Sequence, residues 1–142
     1  MPSQPMSDEE AVIAANEEFY RAFAARDLAA MNSLWAGETP VACIHPGWDA
    51  LLGREAVMES WAAILGSPGA PQIRCEAPRA FVLGPSAFVI CREVLEQQER
   101  LIATNVFARE QAGWRMVHHQ AGPAGQARPA PPASERPPGP LH

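Results

Sequence analysis

The chain has no lysine: all 11 basic residues among its 142 are arginine. That excludes Schiff-base chemistry, attachment of pyridoxal phosphate and the phosphate-binding lysine of a P-loop. A glycine-rich phosphate loop and a GxSxG nucleophile elbow are also missing. Positive charge is scarce, with a net charge of −5 and a pI near 5.3. Nucleic-acid binding calls for the opposite, a basic patch. No apolar run approaches the roughly 18 residues of a membrane helix. The residues after Met1 lack the basic-then-apolar order of a secretory signal. The expectation is a cytoplasmic chain with no nucleic acid and no membrane as partners. Cysteine is limited to positions 43, 75 and 91, without CxxC spacing, and reads as reduced thiols filling small core sites. His, Cys and carboxylates show no metal-ligand spacing, so neither a metal nor a cofactor is expected. Tyr20 is the only tyrosine and the one candidate for phenol chemistry.

Proline is abundant, with 15 residues, but unevenly placed. Two stand at positions 2 and 5, and seven lie between Pro123 and Pro140. Residues 126–142 hold one large apolar side chain, Leu141, too little burial to offset the entropy of ordering. The stretch 123–142 is therefore expected to be a proline-rich disordered tail, and 1–6 a disordered N-terminus. PxxP patterns at 128–132 and 137–140 fit polyproline ligands, although the composition favours a plain solvated terminus. One folded domain is expected over 7–122.

Within it, Ser7 and Glu10 form a capping box, followed by Val12, Ala15, Phe19, Ala22 and Phe23 at helical spacing. Asp27 caps a second helix with Leu28, Met31, Leu34 and Trp35 on one face. Residues 41–45 read as a short strand and 46–52 as a loop. Gly53 opens a third helix, faced by Val57, Met58, Trp61, Ile64 and Leu65, which Gly66 stops. The stretches 73–83, 87–96, 100–109 and 114–120 read as strands with short joints, which favour antiparallel hairpins. The order predicts an α+β fold with helices packed on one face of a curved antiparallel sheet.

His45 ends the first strand beside a Pro-Gly loop, and imidazole titrates near neutral pH. It reads either as a general base or as a buried, hydrogen-bonded histidine. His118 and His119 are neighbours on the last strand and face opposite ways, so only one can enter a pocket. Strict alternation puts His118 with Trp114 and Met116, and His119 with Arg115 and Val117. Asn105 shares a face with Leu101, Ala103 and Phe107. Its amide either finds partners in the protein or awaits a ligand oxygen. Trp61 reads as core, with an indole N–H that needs an acceptor. The acidic runs 8–10 and 93–99 read as solvated.

The element order and four short stretches resemble the nuclear transport factor 2-like superfamily, in its SnoaL-like and ketosteroid-isomerase-like bacterial branch. The stretches are ARDL (25–28), IHPGWDALLG (44–53), TNVF (104–107) and GWRMVHHQAG (113–122). The resemblance implies a cone in which three helices close over a strongly curved mixed or antiparallel sheet around an apolar cavity. It also implies a homodimer through the sheet's outer face and a small apolar molecule as ligand. Matched onto the isomerases, His45 stands where the general base does and Asn105 where an oxyanion donor does. Phe19 takes the place of a tyrosine donor. Tyr20 is rotated from that place by roughly 100° around the helix, so the phenol is expected to be lost. His118 takes a cavity-facing place, which leaves His119 outside. The implied catalytic set is His45, Asn105 and His118. The implied ligand contacts are Phe19, Trp48, Trp61, Ala103, Phe107 and Met116. The implied activity is isomerisation, cyclisation or dehydration of a carbonyl compound, and the alternative is a non-catalytic ligand-binding or protein-association module.

Overall fold

A computed structural model describes residues 5–96 and 99–125. The expectations for the segments 1–4 and 126–142 lie outside the described residues. The first helix, α1 (Asp8–Ala25), begins at the expected capping box: Ser7 Oγ accepts from the Glu10 N–H at 3.1 Å, and Glu10 Oε1 accepts from the Ser7 N–H at 3.2 Å. Arg26 ends it in the left-handed region, φ 54°, where glycine is usual. Asp27 caps α2 (Leu28–Leu34) by accepting from the Ala30 N–H. After β1 (Ala42–Ile44) comes α3 (Arg54–Gly66), which Gly53 enters at φ 89°.

The remaining chain forms β3 (Ile73–Leu83), β4 (Ser86–Leu95), β5 (Arg100–Glu110) and β6 (Gly113–Pro123), joined as antiparallel hairpins. Two features go beyond the pattern of hairpins, the second of them within the mixed or antiparallel sheet that the resemblance implies. Leu51–Leu52, expected within a loop, forms a short strand β2 antiparallel to β1. Strand β1 pairs in parallel with β6, so the six-stranded sheet is mixed, in the order β2-β1-β6-β5-β4-β3. Hairpin joints reveal only sequential neighbours, and this pairing joins the two ends of the fold.

Two bulges bend the sheet. In β3 the register shifts between Glu76 and Arg79, with Ala77 at φ 53°. In β6 it shifts by one residue: Val106 opposes His118, but Phe107 opposes Met116. Val117 is thus the extra residue. The helices fill the concave side, where Phe19, Met31, Trp35, Phe107 and Met116 are fully buried. The convex side carries Phe81, Leu83, Ile90 and Ile102 with substantial exposure, and Phe81 stacks on Phe88 at 4.8 Å. No described helix is long and apolar enough to cross a membrane.

Candidate functional site

Inward side chains form rows across the sheet. Ala87, Phe107 and Met116 make one row, and Val89, Asn105 and His119 the next. Then come Cys91, Ala103 and Ala121, followed by Glu93, Leu101 and Pro123 at the open end of the cone. The row of small residues leaves depth between sheet and helix. The Tyr20 hydroxyl reaches into it, 3.2 Å from Cys91 Sγ. Beyond it lies a cavity of about 380 Å³. Its polar wall groups are His45, Glu93 and His119, with Glu99 in the wall as well. Its apolar walls include Phe23, Trp48, Trp61 and Leu101.

The β6 bulge decides which histidine enters. Trp114 and Met116 point inward; Val117 consumes one position, and the inward series resumes at His119 and Ala121. The alternation that put His118 inside is therefore broken, and the two histidines exchange faces. His119 is 3% exposed in the interior. His118 lies on the other face, with Nδ1 3.0 Å from the Ala42 carbonyl.

His45 Nε2 is 2.9 Å from Ser60 Oγ, and the Ser60 hydroxyl donates to the Val57 carbonyl at 2.7 Å. With that proton committed, Ser60 accepts from His45 Nε2–H, which leaves the lone pair on Nδ1. The His45 ring meets the edges of Trp48 and Trp61, each at 4.8 Å, and its centroid is 6.5 Å from that of His119. Burial pushes the His45 pKa down to about 4. His119 is pushed down to about 3, chiefly by burial and further by His45 and His118. Both imidazoles are neutral at pH 7.

Asn105 is fully buried and sits behind His119 rather than in the cavity wall. Its amide donates to Asn16 Oδ1 at 2.8 Å and to Tyr20 Oη at 3.1 Å. Its oxygen accepts from His119 Nδ1–H at 2.6 Å, so His119 presents Nε2 as its lone pair. Both amide protons are spent, which removes the expected oxyanion donor and makes Asn105 the residue that orients His119. Tyr20, expected to be lost, is 6% exposed, and its hydroxyl donates to Glu93 Oε2 at 2.7 Å. Its rotation around α1 aims it at β4 instead of away from the core, because the curved sheet wraps two sides of that helix.

Among the expected ligand contacts, Trp48 and Trp61 line the cavity. Phe19, Ala103, Phe107 and Met116 are fully buried and outside its wall. Trp61 Nε1 is buried without an acceptor among the described residues. Glu93, grouped in sequence with a solvated acidic run, is 2% exposed and lines the cavity. Its signal was alternation: Ala87, Val89 and Cys91 point inward, so Glu93 follows. Burial raises the affinity of its carboxyl for a proton, and the Tyr20 hydrogen bond opposes this in part. No group of three or more His, Cys, Asp or Glu among the described residues is arranged to hold a metal ion.

Three helices on a bent six-stranded mixed sheet, with a cavity at the open end, define an α+β cone fold. The profile of the SnoaL-like domain matches residues 12–124, and the chain belongs to that family, within the nuclear transport factor 2-like superfamily. A solved relative from Streptomyces avermitilis, provisionally assigned as a dehydratase of the same superfamily, is 31% identical with a TM-score of 0.77. It aligns over 85% of this chain and 99% of its own. A provisionally assigned calcium/calmodulin-dependent protein kinase type II association domain from Thiobacillus denitrificans is 34% identical with a TM-score of 0.72, over 88% and 100% of the two chains. The F-box protein SKIP8 of Arabidopsis thaliana is 30% identical over 112 residues, 78% of this chain; the match spans only 48% of SKIP8.

Proposed function

We propose that the cavity binds a small, largely apolar molecule and performs proton transfer on it, as a dehydration or an isomerisation next to a carbonyl. The observation that carries this reading is that His45 and His119, each held at one ring nitrogen by a hydrogen bond and pushed toward the neutral form by burial, line the same largely apolar cavity. His45 Nδ1 takes the proton beside the carbonyl. The resulting imidazolium, still donating to Ser60, returns it to another carbon or to a departing hydroxyl, so the proton count closes. His119 Nε2 accepts a hydrogen bond from the substrate's hydroxyl and orients it. Asn105 positions that ring, and the expected roles of Asn105 as oxyanion donor and His118 as acid/base are not kept. The likeness to a provisionally assigned dehydratase supports the reaction class.

The test is a thermal-shift screen against diverse small metabolites, with mass spectrometry of each hit for conversion. His45→Ala should lower turnover of a converted hit by roughly 10²-fold or more, the usual share of a general base. Undiminished turnover would remove His45 from the mechanism. Hits that bind without conversion by the parent chain would establish a binding module instead.

A second reading concerns assembly. The convex face exposes Phe81, Leu83, Ile90 and Ile102, a contiguous apolar surface of the kind that marks an interface. The likeness to an association domain supports self-association through this face. Sedimentation at micromolar concentration should give a dimer or larger, and a monomer there would overturn it.

A further inference from the structure

A buried carboxylate in a protein is normally paired with a cation. Glu93, 2% exposed, has none from the described chain. Lysine is absent from the sequence. Among the described arginines, Arg21 pairs with Glu18 and Asp27, Arg74 with Glu76 and Arg109 with Asp8, while Arg26, Arg54 and Arg115 hold backbone carbonyls; Arg79, Arg92 and Arg100 make no ion pair with Glu93 either. No arginine lines the cavity. The one imidazole near Glu93, His119 at 3.9 Å, is held neutral by burial. Glu93 Oε2 takes the Tyr20 hydroxyl, and Oε1 has no hydrogen-bond partner among the described residues.

The surrounding wall is aromatic. Phe23 packs edge-on against Trp61 at 5.6 Å, and Trp48, 48% exposed, stands on the other side of His45. Glu99 adds a second carboxylate to the wall, and no arginine among the described residues lines it. An anionic ligand would meet two acids and no cation. A neutral ligand would leave Glu93 to be compensated only by a proton, which its burial favours. A cation would be paired by the carboxylate and attracted by the aromatic faces.

We propose that the cavity takes an apolar amine, its ammonium against the Glu93 carboxylate and its apolar body among Phe23, Trp48 and Trp61. This rests on the reading that the cavity binds a small molecule, but not on turnover. In the full chain, Glu93 then reads ligand charge while the imidazoles stay available for proton transfer.

The test uses one ring with three charges: benzylamine, benzyl alcohol and benzoate. Binding to the full-length chain is followed by tryptophan fluorescence, for which Trp48 is a reporter in the wall. The amine should bind roughly tenfold or more tighter than the alcohol, with benzoate weakest. Glu93→Gln should bring the amine down to the alcohol and leave alcohol affinity within about twofold. Equal binding of amine and alcohol by the parent chain would overturn the proposal, a result that needs no variant to fold. So would an amine preference that survives Glu93→Gln. An amine that binds but is never converted would count against the proton-transfer reading alone. Conversion of neutral compounds together with indifference to amines would count against this inference alone.

Discussion

The two ends of the cone's interior are built from the same strands and are opposite in character. At the closed end Phe107, Met116, Met31, Trp35 and Phe19 are fully buried in continuous packing. At the open end, three to six residues further along the same strands, His119, Glu93 and Leu101 face a cavity. A row of small residues, Cys91, Ala103 and Ala121, separates the His119 row from Glu93 and Leu101 and gives the cavity its depth. Side-chain volume along β4, β5 and β6 therefore decides where the interior is solid and where it admits a ligand. The closed end holds stability, and the open end holds the groups whose burial costs stability and is retained for another purpose.

The largest effect expected from this contrast is a core truncation. Phe107→Ala opens a cavity at the closed end and should cost about 3–5 kcal/mol in urea unfolding. Trp48→Ala at the open end removes a side chain that is 48% exposed and should cost less than about 1 kcal/mol while weakening ligand binding. If the two substitutions were equally destabilising, the division between a packed end and a binding end would fail.

Acid should act next, and at the open end first. His45 and His119 are held neutral in the fold, near 4 and 3, against an ordinary value of 6.5. Above pH 6.5 they are neutral folded or unfolded, and their environments cost nothing extra. Below it the unfolded chain takes up protons that the folded chain refuses, so stability falls with falling pH. The loss reaches about 2 kcal/mol per histidine at pH 5 and continues for His45 until about pH 4. The lowered carboxylates Glu18, Asp27, Glu76 and Glu110 lose their contribution only at lower pH, in the ordinary carboxylate range, whereas Glu93, raised by burial, takes up its proton earlier in the fold and opposes the histidine slope. Stability measured in urea from pH 7 to 5 should show the histidine slope less the opposing Glu93 share, and in His45→Gln the loss at pH 5 should be smaller by about 2 kcal/mol. Equal loss of stability between pH 7 and 5 in the parent and in His45→Gln would mean that the His45 imidazole is charged inside the fold.

The closed end was largely legible in the sequence, and the open end much less so. Helical spacing around Phe19, Met31 and Trp61 and alternation through β4 and β5 place the core and the element order. These signals are local and repeat over many residues. The choice between His118 and His119 hangs on one inserted position, Val117, and a bulge carries no composition signal of its own. The sequence shows that Tyr20 is rotated off the matched donor's place, but not that β4 lies on that side of α1 and receives its hydroxyl through Glu93. Glu93 was misread by its charged neighbours although its own strand's alternation pointed inward. The parallel pairing of β1 with β6 brings residues 42–44 beside 118–120, a contact no local pattern announces.

The smallest effect concerns the wall that joins the two ends. Arg26 follows α1 in the left-handed region, and its guanidinium donates to the carbonyls of Leu65, Ser67 and Ala70. Those carbonyls lie between Ile64 and Pro71, both in the cavity wall. The guanidinium thus ties the end of α3 to the start of the sheet, where no helix or strand does so. Arg26→Ala removes the tie and keeps the unfavourable backbone, and should cost about 1–2 kcal/mol. Arg26→Gly removes the tie but suits the backbone, and should cost less. In both, amide exchange should accelerate over residues 67–72 and remain slow at Phe107 and Met116, because the closed end does not lean on this turn. Unchanged exchange over 67–72 in both variants would show that packing alone shapes the open end, and the contrast between the ends would then rest on the row of small residues without help from Arg26.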